Sequence, residues 1–343
     1  VGLSPAAFRV GIVGYGLAGR VFHAPLVDAV DGLELATILT SDTRRQDQAR
    51  SAHPGARVVS SVEELWGEVD VVVVAAPNRA HVPLALAAIE RGLAVVVDKP
   101  LAPSVPEAER LLEAGGRVTV FQNRRYDGDF LTVARLVDEG RLGRVTRFES
   151  RFERFRPEVS PDAWREDPEA GGGLLLDLGT HLVDQACRLF GPPVRVYAEL
   201  DGRRPGAQVE DDVFVALEHG GGERSHLWMS SVAPLSGPRL RVSGLDAGLE
   251  TFGLDPQEAQ LTDGLRPGDP DYGRAEPGRL VDAGGPRELP LVTGAYQRFY
   301  QQVVAWLAAG APPPVDPGDS LAGLRVLGAI RRSAATGTVV AIG

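Results

Sequence analysis

The chain predicts an α/β fold built on a parallel sheet. Three observations carry that reading. Apolar runs of strand length alternate with helical patterns across residues 8–121, the signature of strand–helix–strand units with right-handed crossovers. The first run ends directly in a glycine-rich turn. Lys99, the single lysine among 36 basic residues, stands at the end of another run, Ala94–Asp98. In open α/β sheets the carboxyl ends of the strands face the ligand crevice.

The elements follow in order. Phe8–Val13 reads as the first strand and runs into Gly14-Tyr15-Gly16-Leu17-Ala18-Gly19. This is G-x-G-x-x-G in its required context, after a strand and before a helix. Gly14 makes the tight turn, Gly16 lets the backbone approach a pyrophosphate, and Gly19 allows close helix–sheet packing. The helix N-terminus then faces the anion. The expected fold is therefore a Rossmann dinucleotide-binding domain, with Tyr15, Leu17 and Ala18 completing the loop. The next strand, Leu33–Thr40, ends in Thr40-Ser41, followed by Asp42, Arg44 and Arg45. Small hydroxyls and two arginines suit a ribose 2′-phosphate and favour NADP. Asp42, an acid able to reach a ribose diol, leaves NAD open. Asp70–Ala76 leads to Pro77, Asn78 and His81 at the same sheet edge, with Asn78 as a helix cap and all three as candidate cofactor contacts. After Ala94–Asp98 come Lys99 and Pro100. Lysine is a compact ammonium with rotatable donors, which a guanidinium does not imitate. Arg117–Phe121 closes the series, and helical patterns include Ala80–Arg91 and Val105–Ala114.

Composition excludes several classes. A net charge of −10 with no basic tract argues against nucleic acid. No run of eighteen apolar residues is present, so no membrane-spanning helix is expected. One cysteine, Cys187, rules out an intrachain disulfide framework and a thiolate zinc site. Six histidines without metal-ligand spacing make a metal unexpected. Val1 to Ala7 shows no signal-peptide pattern, and the expected compartment is the cytoplasm.

A second constellation lies mid-chain. Gly171-Gly172-Gly173 opens a helical pattern to about Leu189 that carries Asp177 and His181 four apart, with Asp184 three further on. That spacing places them on one helix face. A carboxylate beside an imidazole supplies a general base and a group that orients it. A polar stripe on an interface helix is the structural alternative.

Taken together, the glycine loop, Asp98-Lys99-Pro100 and the Gly-Gly-Gly…Asp177…His181 helix resemble the Gfo/Idh/MocA oxidoreductase family. That family's Glu-Lys-Pro motif stands here as Asp-Lys-Pro. Four further stretches resemble the bacterial NADP-dependent scyllo-inositol dehydrogenase group: Gly16–Pro25, Asn123–Asp127, Arg154–Pro157 and Leu254–Glu258. The resemblance implies a first domain over residues 1–125 and an α+β C-terminal domain over 126–343 with an open, mostly antiparallel sheet. Strands are expected at Val145–Phe155, Val194–Leu200, Asp212–Glu218, Glu223–Ser231 and Arg239–Ser243. A surface excursion is expected at Leu261–Pro290, and a last helix at about 320–335 returning toward the first domain. It further implies a homodimer or homotetramer formed through the second sheet.

The activity so implied is reversible hydride transfer between a nicotinamide and a secondary alcohol of a polyol or sugar. His181 would move the hydroxyl proton, Lys99 would stabilise charge on that oxygen and hold the nicotinamide ribose, and Asp177 would position the substrate. Lys99 as the proton donor stays open. Asn123, Trp164 and Arg165 are implied to lie near the cofactor. Competing readings are a dehydrogenase of another sugar, a glycosidase using tightly held NAD, and a dinucleotide-sensing regulator.

Overall fold

Strands β1 (Phe8–Val13), β2 (Leu33–Leu39), β3 (Arg57–Val59), β4 (Val71–Val74), β5 (Ala94–Asp98) and β6 (Val118–Phe121) form one sheet in the order β3-β2-β1-β4-β5-β6. Every pairing in it is parallel. The computed structural model describes residues 7–159, 166–168 and 171–342. Strand order reverses between β1 and β4, which creates the switch-point crevice of a doubly wound sheet. All four valines of β4 and Val95–Val97 of β5 are buried, because crossover helices leave neither face to water. Five strands match the sequence expectation; β3 escapes it because three residues carry no period. Asp42 caps the helix Thr43–Ala52, its Oδ1 accepting the Arg45 N–H at 3.0 Å. Ser104 caps Val105–Glu113 through the Glu107 N–H at 3.4 Å.

The chain divides into two compact units. The first holds residues up to Tyr126 together with 256–273 and 295–320; the second holds 127–255, 274–294 and the residues from Leu321 on. In the first unit, Ala295 N–H donates to the Tyr126 carbonyl at 2.9 Å and Gln257 Nε2 to the same carbonyl at 3.2 Å. These bonds hold the three segments together where the chain leaves the sheet.

The second unit is built on nine strands: β7 (Val145–Glu153), β8 (Pro193–Asp201), β9 (Asp212–His219), β10 (Arg224–Ser230), β11 (Leu240–Gly244), β12 (Ala247–Thr251), β13 (Gly278–Asp282), β14 (Gly285–Leu289) and β15 (Val340–Ala341). Their order is β14-β13-β12-β11-β7-β10-β9-β8-β15. Only β7 and β10 pair in parallel; the other pairings are antiparallel. The mostly antiparallel sheet is thus as expected, but the excursion is not all loop. Its Gly278–Leu289 portion is a hairpin, β13–β14, at the sheet edge. The strands are five residues each and turn at Ala283-Gly284; β13 alternates buried Gly278 and Leu280 with exposed Arg279 and Val281, and β14 is mostly exposed. In the sequence, so few apolar residues leave no alternation to read. The last helix spans Pro317–Thr336. In its second-unit part Ser333 Oγ accepts the Ala198 N–H at 3.0 Å, seating it on β8.

Candidate active site

The glycine loop has the geometry a dinucleotide needs. Gly14 adopts φ +104°, and a Cβ there would stand 2.4 Å from the Ala75 carbonyl oxygen at the end of β4. A Cβ on Gly19 would stand 2.0 Å from the Gly14 carbonyl oxygen, so the helix is drawn directly onto the turn. At Gly16 the nearest atom to such a Cβ is Arg45 Nη1 at 3.9 Å, and the backbone lies open. Two glycines close the turn and the third leaves a cradle beside a guanidinium, which fits a pyrophosphate. The helix begins at once, with a wide π-type turn over Ala18–His23 and α-helix over Ala24–Asp28. Leu17 is exposed at its start, and the Tyr15 ring is buried edge-on to His53.

The end of β2 divides the residues expected there. Thr40 is buried, its N–H bonded to the Val59 carbonyl and its own carbonyl accepting Gln46 Nε2 at 2.9 Å. Ser41 is exposed. Asp42 is engaged as the helix cap, with Oδ2 3.9 Å from Arg45 Nε. The two arginines part company: Arg45 lies by Gly16, whereas Arg44 lines a cleft with Tyr15.

Asn78 is not the cap expected of it. It opens a 3₁₀ turn, Asn78–Ala80, after an exposed Pro77, and no side chain caps that turn or the following helix His81–Ile89. Pro77 fixes φ at −56° and sets the chain for the turn without a side-chain bond. His81 is also placed differently. It is buried, with Nδ1 2.8 Å from the Pro100 carbonyl oxygen and Nε2 2.9 Å from that of Ala76. Both ring nitrogens thus face protein carbonyls, one at the end of β4 and one in the turn after β5, and whichever carries the hydrogen donates to one of them.

Lys99 is partly exposed at the end of β5, followed by a cis Lys99–Pro100 bond. Its N–H donates to Asp98 Oδ1 at 2.9 Å. Behind Asp98 lies a buried chain that sequence reasoning missed. His23 Nδ1 is 2.6 Å from the Tyr300 hydroxyl, and His23 Nε2 faces Asp98 Oδ1 at 3.9 Å. The His23 ring is fully buried against Phe121, with centroids 4.4 Å apart. Burial pushes its pKa down to about 4, against the pull of Asp98. A neutral imidazole has one N–H. With a carboxylate facing Nε2, that hydrogen belongs on Nε2, and the Tyr300 O–H donates to Nδ1. Burial holds the Tyr300 hydroxyl well above its ordinary pKa, with Asp98 adding to the effect, so it remains a donor. Tyr300 is 277 residues from His23, and no local pattern could have announced the pair. Asn123 is buried in the 3₁₀ turn Asn123–Tyr126 that follows β6.

In the second unit, a wide turn at Leu175–Gly179 leads into the helix Thr180–Phe190. Such turns recur at functional sites. Glu210 organises its start: Oε1 accepts the Leu175 N–H at 3.2 Å and its carbonyl accepts that of Leu174 at 3.1 Å. Gly173, at φ +99°, leaves room, since a Cβ there would meet that Oε1 at 2.4 Å. His181 and Asp184 are buried on the helix, while Asp177, one turn earlier, is partly exposed. Asp177 lines a polar cleft of about 60 Å³ with Arg154, Arg156, Glu166, Arg204 and Ser230. Arg204 is buried and bonded to Asp211 at 2.8 Å and Glu166 at 2.9 Å. Burial opposes the Asp211 charge, but the Arg203 N–H and the Arg204 guanidinium outweigh it and hold the carboxyl below its ordinary range. The glycine loop and Lys99 are therefore gathered in the first unit, and Asp177 and His181 in the second. Trp164 and Arg165 lie outside the described residues. Among the described residues no cluster of His, Cys, Asp and Glu could hold a metal, and no helix is long and apolar enough to cross a membrane.

Comparison with known proteins bears on both units. Residues 8–120 match the family model described as an oxidoreductase family with an NAD-binding Rossmann fold, and residues 130–250 match the GFO/IDH/MocA C-terminal domain. The chain is 34% identical to a Bacillus subtilis scyllo-inositol 2-dehydrogenase (NADP⁺), IolW, over 95% of this chain and 93% of that one. It is 39% identical to YdgJ of Escherichia coli, an uncharacterised oxidoreductase, over 91% and 92%. The solved structure of Bacillus subtilis YvaA superposes with a TM-score of 0.93 at 32% identity, covering 99% of this chain and 100% of that one. Identity is thus higher to a relative without a characterised substrate than to the inositol enzyme.

Proposed function

The chain belongs to the GFO/IDH/MocA family of oxidoreductases, and from that premise we propose that it is an NADP-linked dehydrogenase of a secondary alcohol in a polyol or sugar, with scyllo-inositol the first substrate to try. The observation that carries this reading is the open cradle at Gly16, set between the closed turns at Gly14 and Gly19, in the same sheet as Lys99. Gly14 to Gly19 would hold the pyrophosphate and Lys99 the nicotinamide ribose. Asn123 would contribute from the end of β6, and Arg44 and Arg45 favour NADP over NAD.

Oxidising such an alcohol removes a hydride from carbon and a proton from oxygen, leaving a ketone. A bound nicotinamide supplies the hydride acceptor. The protein has to take the proton, and His181 is assigned that task because an imidazole nitrogen can accept a proton and return it in the reverse direction. Lys99 donates a hydrogen bond to the substrate oxygen and stabilises charge developing there. Asp177 binds neighbouring hydroxyls and positions the ring. The half-exposed face of the second sheet is assigned to self-assembly as a dimer or tetramer, and the setting to the cytoplasm.

The test is initial rates by nicotinamide absorbance over a panel of inositols and sugars, run with NADP and NAD side by side. Turnover of scyllo-inositol with NADP supports the full reading. Turnover of another sugar keeps the reaction and replaces the substrate. Dinucleotide binding without turnover across the panel removes the dehydrogenase reading in favour of a sensor.

A further inference from the structure

A cleft of about 810 Å³ opens beside the glycine loop, between the helix Thr43–Ala52, the stretch Ala18–Asp28 and residues 261–266, all within the first unit. Its walls carry Arg20, Arg44 and Arg266, one from each element. The helix Gln257–Thr262 packs against Ala18–His23, and Arg266, just beyond that helix, lines the same cleft as Arg20. None of the three guanidiniums pairs with a carboxylate among the described residues; the Arg266 guanidinium donates to the carbonyls of Leu261 and Leu265, at 3.4 and 2.9 Å, while its backbone N–H donates to Asp269 Oδ2 at 2.6 Å. The one acid in the lining, Asp47, is held by Arg50 at 3.0 Å. His53 is held by Asp28 at 2.7 Å. The result is a concentration of unneutralised positive charge in a chain of net charge −10. The Tyr15 hydroxyl lies within reach of these charges: burial holds its pKa above the ordinary value, Arg20 and Arg266 act to lower it, and Asp28 acts to raise it.

Guanidiniums supplied to one cleft from three elements offer planar donor forks suited to the oxygens of a phosphate. We infer that this cleft binds a phosphate monoester through Arg20, Arg44 and Arg266. The phosphate could arrive on the dinucleotide or as a separate anion. Placement favours the dinucleotide. Tyr15 belongs to the glycine loop and Arg44 to the helix start after β2, where this fold receives the adenosine ribose. A phosphate on the 2′ oxygen of that ribose is the group delivered to the cleft mouth. This choice of source rests on the NADP reading above; the cleft's chemistry does not. Arg266 is then a specificity determinant supplied from a segment about 220 residues beyond the sheet edge it serves.

Calorimetric titration of the full chain with NADPH, NADH and inorganic phosphate decides it, using wild type, Arg266→Gln and Arg266→Lys. The expected result is that Arg266→Gln weakens NADPH about tenfold or more, as for loss of a charged hydrogen bond. NADH should change by no more than about twofold, which also shows the variant to be folded. Arg266→Lys, keeping charge without the fork, should fall between. If NADPH is unaffected but wild type binds inorganic phosphate and Arg266→Gln does not, the cleft is a phosphate site and its ligand a separate anion. If NADPH is unaffected and wild type binds no phosphate, the inference is overturned. Wild type binding neither dinucleotide would remove the NADP reading, while the phosphate titration still decides the cleft.

Discussion

The two sheets bury their strands in opposite ways. In the first, β4 and the core of β5 are buried on both faces, so the only groups it offers to a ligand are at its strand ends. In the second, Val213, Val215 and Leu217 of β9 are buried while Phe214, Ala216 and Glu218, alternating with them, are half-exposed. The helix Thr180–Phe190 packs on β7 and β10. The half-exposed side carries Phe214 and Trp228 with centroids 5.3 Å apart, and Arg151 lies 3.9 Å over the Trp228 ring. Around them runs a ladder of ion pairs, with Glu149 bound to Arg151 at 2.7 Å and Glu250 bound to Arg241 and Arg279. A sheet covered on both sides concentrates function at an edge. A sheet covered on one side keeps a whole face of aromatic and charged groups, the surface proposed above for assembly.

The sharpest way to break this contrast is to place the same charge in both sheets. Val96→Asp buries an unpaired carboxylate and should cost about 4 kcal/mol or more. Phe214→Asp, on the half-exposed face, should cost about 1 kcal/mol. Urea unfolding of the two variants measures both, and equal losses would show that the two strands are not differently buried. Next in size is the strand end itself. Lys99→Arg keeps the charge but changes its shape, and should lower turnover about a hundredfold while weakening the dinucleotide Kd by no more than a few fold, since the guanidinium can still bond the nicotinamide ribose. Undiminished turnover would remove Lys99 from the chemistry.

The buried chain behind Asp98 makes a prediction in pH. The folded-state pKa of His23, about 4, lies below the 6.5 of an ordinary histidine. Between those values the unfolded chain binds the extra proton. Stability is therefore complete above pH 6.5 and falls as pH drops toward 4, by about 3 kcal/mol. Comparing wild type with His23→Gln in denaturant titrations at several pH values isolates this part, and identical slopes would show that His23 is not its source. The smallest effect belongs to the outer face. Trp228→Ala loses the Arg151 contact, about 1 kcal/mol, and should raise the dissociation constant of any oligomer without lowering turnover per protomer. Sedimentation over a concentration series reads it, and an unchanged constant would locate assembly elsewhere.

Legibility followed the same division. The buried sheet was readable because a strand covered on both faces is a continuous apolar run, and β1, β2, β4, β5 and β6 emerged with nearly their observed bounds. β3 was too short to show one. In the second sheet, five strands were anticipated through family resemblance rather than clear alternation. The hairpin β13–β14 hides in the excursion because β14 is a mostly exposed edge strand that need not be apolar and β13 buries only Gly278 and Leu280.

By itself, the sequence determined the parallel sheet, its glycine loop and the residues at its strand ends. Each of those depends on neighbours within one turn or one strand. Tertiary structure alone decided that His81 braces two strand ends, that Asn78 caps nothing, that Arg44 and Arg45 face different ground, and that Tyr300 and Arg266 return to the first sheet. Those pairings span from a few residues to hundreds. They are set by which surfaces meet when the core closes, a constraint that leaves no periodic trace along the chain.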